Sequence, residues 1–590
     1  MRRLLTFALA LWSFVTVAQV IPSDRQISWA TWTGVSGGIP SVTTVYTNMT
    51  GLDNTGATDC SAAIQAALNA CPSNQVVKIP AGTFLITNGV IVNVSGTVLR
   101  GAGKTATIFS LQHPAARADG GIRVGTTADL APSLMWTNAG TAIKGATNLT
   151  LLTTNGLAVG NIVLIEQIND TNVVFNWSQD GSSGSQDYHA NTSLTNYLQV
   201  QMIKVLSISG TNITFEPPLI NTWTNTQNCR LFRRGNNNWP RRMGVEDCTI
   251  YMPTNNYTTS WQRDLQFAFG DECWGKNVRV YSWDRYGAYI NSAYRTTLES
   301  CDFEGLNFGG SGGNYAIGIV FASGFSRVEN NTCHGAISMV VLAEMAHANA
   351  ILYNFEATNH YESSPGVLTT LQAGLSSHDC YTHFNLLEGN VAPMFIADMS
   401  HGNGGYNILL RNRLYGWQPS TVTKQLRSVV LDYGHWNYSV AGNVLGGPWV
   451  PYYSLKNGPN GDQMATTTNA LQMFGYATGP LPQAWTNNIY HSNVLYTAVL
   501  RGNYIAGATD TTNGIPSDQS YTNLESSLVY SSRPSYFGGL AWPPVNPESP
   551  TTNYHARLIP AMYRFFGETV PSALPDVTTT TLNVGTLVFP

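Results

Sequence analysis

The sequence predicts an all-β chain wound as a parallel β-helix, a solenoid whose strands stack coil upon coil. Three observations predict it. Apolar, strand-type runs recur from residue 244 and turn sharply at Cys248, Asn277, Cys301, Asn331, Asn354, Asn390, Arg413 and Asn443, between 23 and 36 residues apart by difference of those numbers. Solenoid repeats of about 20–45 residues have such spacing. Asparagine recurs at the corners, where its amide can bond the next coil's amide and its backbone tolerates left-handed geometry. The composition agrees: 55 glycines among 590 residues, with only 11% charged, suit a turn-rich β protein with a weakly charged surface.

The elements follow in order. Arg2 and Arg3 precede an apolar run from Leu4 to Val17, a secretory signal pattern with cleavage expected after Ala18. The run is shorter than the roughly 20 residues a membrane span needs, and no later segment is long and apolar enough. The mature protein is expected to be secreted, extracellular or periplasmic, with no membrane span, and monomeric. A net charge of −4, with seven lysines and twenty-three arginines, lacks the basic footprint of a nucleic-acid binder. Eight cysteines permit an oxidising compartment without demanding disulfides. Cys60 and Cys71 flank a predicted helix whose rise of about 16 Å keeps them from bridging; burial is expected instead.

Residues 19–139 form the N-terminal cap and first coils. Asp53-Asn-Thr-Gly-Ala-Thr-Asp59 is a polar turn with Asp59 as N-cap. Cys60, Ile64, Ala67, Leu68 and Cys71 make a helical stripe that Pro72 ends. Pro80-Ala-Gly-Thr83 is a tight turn between strands, followed by Leu99-Arg-Gly-Ala-Gly103. This order of turn, Ala63-to-Ala67 helix, Pro80-to-Thr83 turn and Leu99-to-Gly103 run resembles the N-terminal signature of the pectate-lyase-like superfamily. The resemblance implies a right-handed, single-stranded coil whose helix plugs the first turn, covering apolar core and unpaired strand edges. It also implies a carbohydrate-active protein acting along one face of the coil.

Residues 140–235 depart from the repeat and read as a small inserted β subdomain walling one end of a groove. Residues 236–510 are the main helix. Residues 511–590, rich in proline and aromatics (Pro534, Tyr536, Phe537, Trp542, Pro543, Pro544), read as an irregular C-terminal wrap.

Three motifs carry candidate chemistry: Glu344-Met-Ala-His347, Asp398-Met-Ser-His401 and Asp432-Tyr-Gly-His435, each after an apolar strand-like run. Stacked coils repeat at about 4.8 Å. Asp398 and Asp432, one coil apart, should stand roughly 5 Å apart, and Glu344 and Asp398, with Gln372 between, roughly 9–10 Å. Retaining glycosidases separate their carboxylates by about 5–5.5 Å and inverting ones by about 6.5–9.5 Å, so both geometries stay open. Crowded carboxylates repel, raising one pKa into general-acid range; hydrogen-bonded structural acids or calcium ligands are the alternative. Asp398, Asp432, Glu344 and His401 are therefore the candidate catalytic residues. His347 and His435 occupy matching places, and a second cluster, His378, Asp379 and His383, lies in the longest coil. With Arg285, Arg295, Tyr433 and Trp436, which offer guanidinium and ring contacts to sugars, they are the candidate substrate-binding residues.

Three functions compete. The first is a glycoside hydrolase acting on a polysaccharide and requiring no cofactor. The second is a polysaccharide lyase, in which acids hold Ca2+ against a uronate and His, Tyr or Arg takes the proton. The third is a non-catalytic glycan-binding or surface protein. The Asn-Thr-Asp and Gly-His-Gly series of polygalacturonases is absent, as are the Trp-Ile-Asp-His and paired-arginine motifs of pectate lyases, so no catalytic residue transfers from either.

Overall fold

The computed structural model describes residues 20–112, 121–126, 132–170, 173–174, 197–234, 239–253, 263–283, 285–305, 314–357, 373–416, 426–446, 472–475, 491–505, 523–549 and 557–572. The signal segment, Gln372, Asp284 and Trp417 lie outside them. Two parallel sheets form the coil, one of 22 strands and one of ten. The ten strands, β1 to β10, are Val90–Val92, Ile122–Gly125, Arg263–Ala268, Tyr286–Asn291, Tyr315–Val320, Ser338–Leu342, Leu375–Asp379, Phe395–His401, Val429–Leu431 and Gln472–Phe474. The chain is a parallel β-helix, and one continuous core runs along it from Ile64 through Val245, Ile317 and Leu387 to Leu500.

The capping helix spans Ser61–Ala70. Cys60, Ile64, Leu68 and Cys71 face the core while the exposed side is mostly alanine, at Ala62, Ala63, Ala66 and Ala70, so the helical spacing of the larger apolar residues places this plug. All eight cysteines are free and buried.

The corners separate two jobs that the sequence assigns to one asparagine. A left-handed residue comes first: Ser300, Asn330, Tyr353, Gly389, Arg411, Gly442 and Gly502 have φ between 52° and 67°. The next residue carries the ladder. The side-chain amides of Asn331, Asn354, Asn390, Asn412 and Asn443 each donate to the Oδ1 of the next rung at 2.9–3.0 Å, ending on Asn503. The rung is thus Asn412, not Arg413, one residue from the expected corner. Asn277 also misses the ladder: it pairs in register with Asp247 and donates to its Oδ1 at 2.6 Å. Gly389 is needed twice over, because its φ is 67° and a Cβ there would stand 2.3 Å from the Tyr353 ring.

A six-stranded antiparallel sheet drawn from Pro132–Thr137 to Arg230–Arg234 forms the insert. It packs along the flank of the coil. Its Leu164, Val200 and Met202 join a cluster with Phe269, Tyr294, Phe325, Met345, Tyr381 and Phe384, turn residues of successive coils. The C-terminal segment lies on the outer face of the larger sheet, where Phe537, Leu540, Val545, Ile559 and Met562 cover Leu352, Ile408, Leu410 and Val444.

Candidate functional site

Along the ten-stranded sheet, Phe267, Ile290, Ile319, Leu342, Ser377, Ala397, Leu431 and Phe474 pair strand by strand as one row. All face inward and are buried. The residues that follow, Ala343, His378, Asp398 and Asp432, therefore share the next, outward row. Glu344 misses it by one place and comes abreast of Asp379. The expected three-carboxylate stack is broken here: Asp398 and Asp432 share a row, but Glu344 does not, and His378 stands in the coil between.

The outward face brings together Glu344, His378, Asp379, Asp398 and His401. His378 Nδ1 lies 2.7 Å from Asp398 Oδ2, and Asp398 Oδ1 accepts the Ser400 amide at 3.0 Å. Asp379 pairs in register with His401 across a bulge in β8, and the rings of His378 and His401 meet edge-to-face at 5.0 Å. Asp379 Oδ1 accepts the Cys380 amide at 2.6 Å. Glu344 opens a left-handed turn at φ 48°, followed by Met345 at 65°. Non-glycine residues rarely hold that conformation, and the fold fixes this pair by amide bonds from Ala322 to the Glu344 carbonyl and from Met345 to the Cys380 carbonyl, both 2.8 Å.

Aromatic residues extend the face. Tyr286 stacks on Tyr315 at 5.4 Å and tilts against Tyr289 at 4.6 Å. Arg263 covers the Tyr289 ring at 4.1 Å, and Arg285 lies 5.5 Å from that of Tyr286. Gly318 makes room, since a Cβ there would meet the Tyr286 ring at 2.6 Å. Arg263 and Tyr315 escaped sequence reading. Their signal was positional: like Tyr286, each opens a strand of the same sheet.

The electrostatics split the acids. Burial, with Asp379 nearby, pushes the Glu344 carboxyl well above the usual range, against the pull of Arg263 and Arg285. Asp379 is also raised by burial. Asp398 is held low: burial opposes ionisation, but the charge and hydrogen bond of His378 outweigh it. His378 is pushed up to about 9, because Asp398 overcomes the burial that would lower it. At neutral pH the face holds a protonated Glu344 beside an ionised Asp398–His378 pair.

The remaining candidates lie elsewhere. His347 is buried, paired in register with His383 rather than His401 or His435, and its Nε2 accepts the Met202 amide of the insert at 3.0 Å. His383 is equally buried, with Nδ1 2.7 Å from the Tyr381 carbonyl. Burial lowers them to about 3 and about 4. Both are buried neutral groups, His347 docking the insert, and not a histidine ladder facing substrate. His435, also lowered to about 4 by burial, bridges the Asp398 carbonyl and the Gly404 amide. Asp432 shares the row of Asp398 but is 0% exposed and faces the buried Arg427. Arg295 binds the Gly34 and Thr31 carbonyls, tying down the N-terminal segment. Tyr433 and Trp436 both stack on His491, at 4.7 and 5.3 Å, which occupies the rings.

Among the described residues no group of three or more His, Cys, Asp and Glu is arranged to hold a metal ion.

A family model described as rhamnogalacturonase A/epimerase, pectate lyase-like, matches residues 46–337. Over those residues the chain is similar to the pectate-lyase-like family, and the whole chain has the parallel β-helix fold. This family includes carbohydrate-active enzymes; the matched region ends before Glu344, so it assigns no role to the acid cluster. A search of curated proteins finds no match. Among solved structures, the tailspike gp61 of Pseudomonas phage phi297 is 15% identical, over 70% of this chain and 72% of that one, with a TM-score of 0.44. PfbA, a surface adhesin of Streptococcus pneumoniae, is 10% identical over 78% and 85%, at 0.40. The A-module of the Azotobacter vinelandii mannuronan C-5 epimerase AlgE6 is 12% identical over 73% and 98%, at 0.26. At such TM-scores none of them bears on the site. No helix among the described residues is long and apolar enough to cross a membrane.

Proposed function

We propose that this pectate-lyase-like protein is a secreted glycoside hydrolase that cleaves a polysaccharide lying along the ten-stranded sheet. The observation that carries the proposal is the opposed pair of carboxyls, Glu344 raised and Asp398 lowered. Hydrolysis needs one carboxylic acid and one carboxylate at the same pH, set apart by environment. Glu344 gives its proton to the glycosidic oxygen as the bond to the anomeric carbon breaks. Asp398 takes a proton from the water that attacks that carbon. β6 and β8 are separated by β7, so two strand spacings, roughly 9–10 Å, lie between the backbones. That separation is near the inverting range of about 6.5–9.5 Å. Asp379 keeps Glu344 protonated, and His378 orients Asp398. Tyr286, Tyr289 and Tyr315 offer stacking faces to sugar rings. No metal takes part in these steps.

Elimination on a uronate is the second reading, favoured by Arg263 and Arg285, which would pair with its carboxylate. It lacks a ready base. Burial pushes Tyr286 up to about 12 and Tyr289 well above its ordinary value, and His378 holds its proton to about 9. That leaves His401 for proton abstraction.

The test incubates purified mature protein with plant, algal and bacterial polysaccharides, reading reducing ends together with ultraviolet absorbance of unsaturated uronates. New reducing ends without absorbance, abolished in Glu344→Gln and Asp398→Asn, support hydrolysis. Growing absorbance moves the assignment to elimination. Binding without either product makes the protein a glycan-binding one.

A further inference from the structure

The larger sheet carries a second cleft, on a different sheet of the coil from the acid cluster and outside the proposed chemistry. It measures about 360 Å³, at the small end of the roughly 300–1,000 Å³ of ligand pockets. Its floor is Thr297, Glu299, Arg327 and Glu329 on the outer face of two neighbouring coils. One wall is the N-terminal segment at Thr33 to Ile39, and the other is the C-terminal segment at Tyr530 to Tyr536.

Both walls are pinned to that floor. Arg327 donates through Nε and Nη2 to Thr33 Oγ1 at 3.3 and 3.2 Å. Glu329 Oε1 accepts the hydroxyls of Tyr530, at 2.5 Å, and Tyr536. Gly34 packs so closely that a Cβ would stand 2.7 Å from Thr297 Oγ1. The cleft is therefore preformed, which lowers the ordering cost of binding. Polar capacity remains in it. Among the described residues Arg327 Nη1 makes no hydrogen bond, its carboxylate neighbour Glu329 Oε2 lying 3.9 Å away. Glu299 engages Lys276 through Oε1 at 3.1 Å and leaves Oε2 unpaired among the described residues.

We propose that this cleft is an accessory binding site for one or two units of a neutral sugar. A guanidinium edge donates to hydroxyl oxygens and a carboxylate accepts hydroxyl hydrogens, the pairing that neighbouring hydroxyls of a pyranose require. Tyrosine rings and Pro534 supply apolar faces for its C–H surface. With Glu299 beside Lys276 and Glu329 beside Arg327, the charges at the floor balance, which favours a neutral ligand over an anionic one. The site would hold glycan at a distance from the acid cluster and raise the local concentration of polymer.

The experiment uses the full mature chain and saturation-transfer NMR, followed by titration calorimetry. The probes are methyl glycosides of glucose, galactose, mannose and N-acetylglucosamine, with methyl glycosides of glucuronic and galacturonic acid beside them. The expected result is binding of at least one neutral glycoside. Ser535→Trp, an exposed position at the mouth, and Glu299→Gln should each weaken it tenfold or more, while Glu344→Gln leaves it unchanged. The inference is overturned if no neutral glycoside binds, if binding survives both cleft variants, or if the uronates bind more tightly.

Discussion

The asparagine ladder and the acid cluster are both stacks of polar side chains, contributed by successive coils of one solenoid, and they reach opposite electrostatic ends. In the ladder every rung is an amide, so each donor meets the acceptor above it and no charge is confined. Buried neutral amides are self-complementary in a stack, and the ladder is wholly buried and fully bonded from Asn331 to Asn503. In the acid cluster the neighbours are carboxyls and imidazoles. One pair, Asp398 and His378, satisfies itself by ionising, and of the other two carboxyls, Asp379 and Glu344, the more strongly raised Glu344 is left to hold a proton. Repetition stabilises when the repeated group complements itself and frustrates when it does not, and frustration is where chemistry becomes available.

The largest expected effect sets the two regions apart. Glu344→Gln should lower turnover by about 10²–10⁴-fold, the usual contribution of a general acid, with the thermal midpoint at pH 7 unchanged or raised. Rates on the active polysaccharide and a melting curve check it; a variant retaining activity would remove Glu344 from the mechanism. Next is Asn390→Leu, which strands the Asn354 amide groups and the Ile351 carbonyl. Orphaned buried groups cost about 1–3 kcal/mol each, so a loss of roughly 3 kcal/mol should appear as a lower urea midpoint. Surviving folded protein should retain its turnover.

A smaller effect concerns pH. His378 has its pKa raised from the ordinary 6.5 to about 9, so its contribution to stability is full below about 6.5 and is lost as pH rises through about 9. Asp398→Asn removes the partner charge, and the imidazole titration followed by NMR should fall by about one unit or more. An unmoved titration would break the assigned pair. Glu344 acts in the same direction: its raised pKa stabilises the fold at acid pH, and that contribution fades above the ordinary carboxylate range. The smallest effect is expected at Asp432, which shares the row of Asp398 but is sealed from substrate. Asp432→Asn should lower turnover less than tenfold, below the 1.36 kcal/mol that a decade represents; a loss matching that of Asp398→Asn would return Asp432 to the catalytic set.

The sequence by itself determined the coil. Spacing of apolar runs, asparagine at the corners and the helical stripe from Cys60 to Cys71 are local signals, each dictated by how one coil must bury one face and bond to the next. It also brought the eye to Glu344, Asp398, His378, Asp379 and His401. Only the tertiary structure decided which of these meet. Three acid-x-x-His motifs look equivalent as text, yet the coil lengths differ, and a bulge in β8 puts His401 beside Asp379 while His347 pairs with His383. A shift of one residue in a strand turns a side chain to the other face, so equal spacing within a motif does not place equal atoms in space. The fate of each histidine was likewise set by what arrived from far along the chain. The insert covers His347 through the Met202 amide, His491 fills the space between Tyr433 and Trp436, and Arg295 is taken by the N-terminal segment. These contacts join residues 55 to 261 positions apart, and a local pattern cannot encode a partner that only folding brings near.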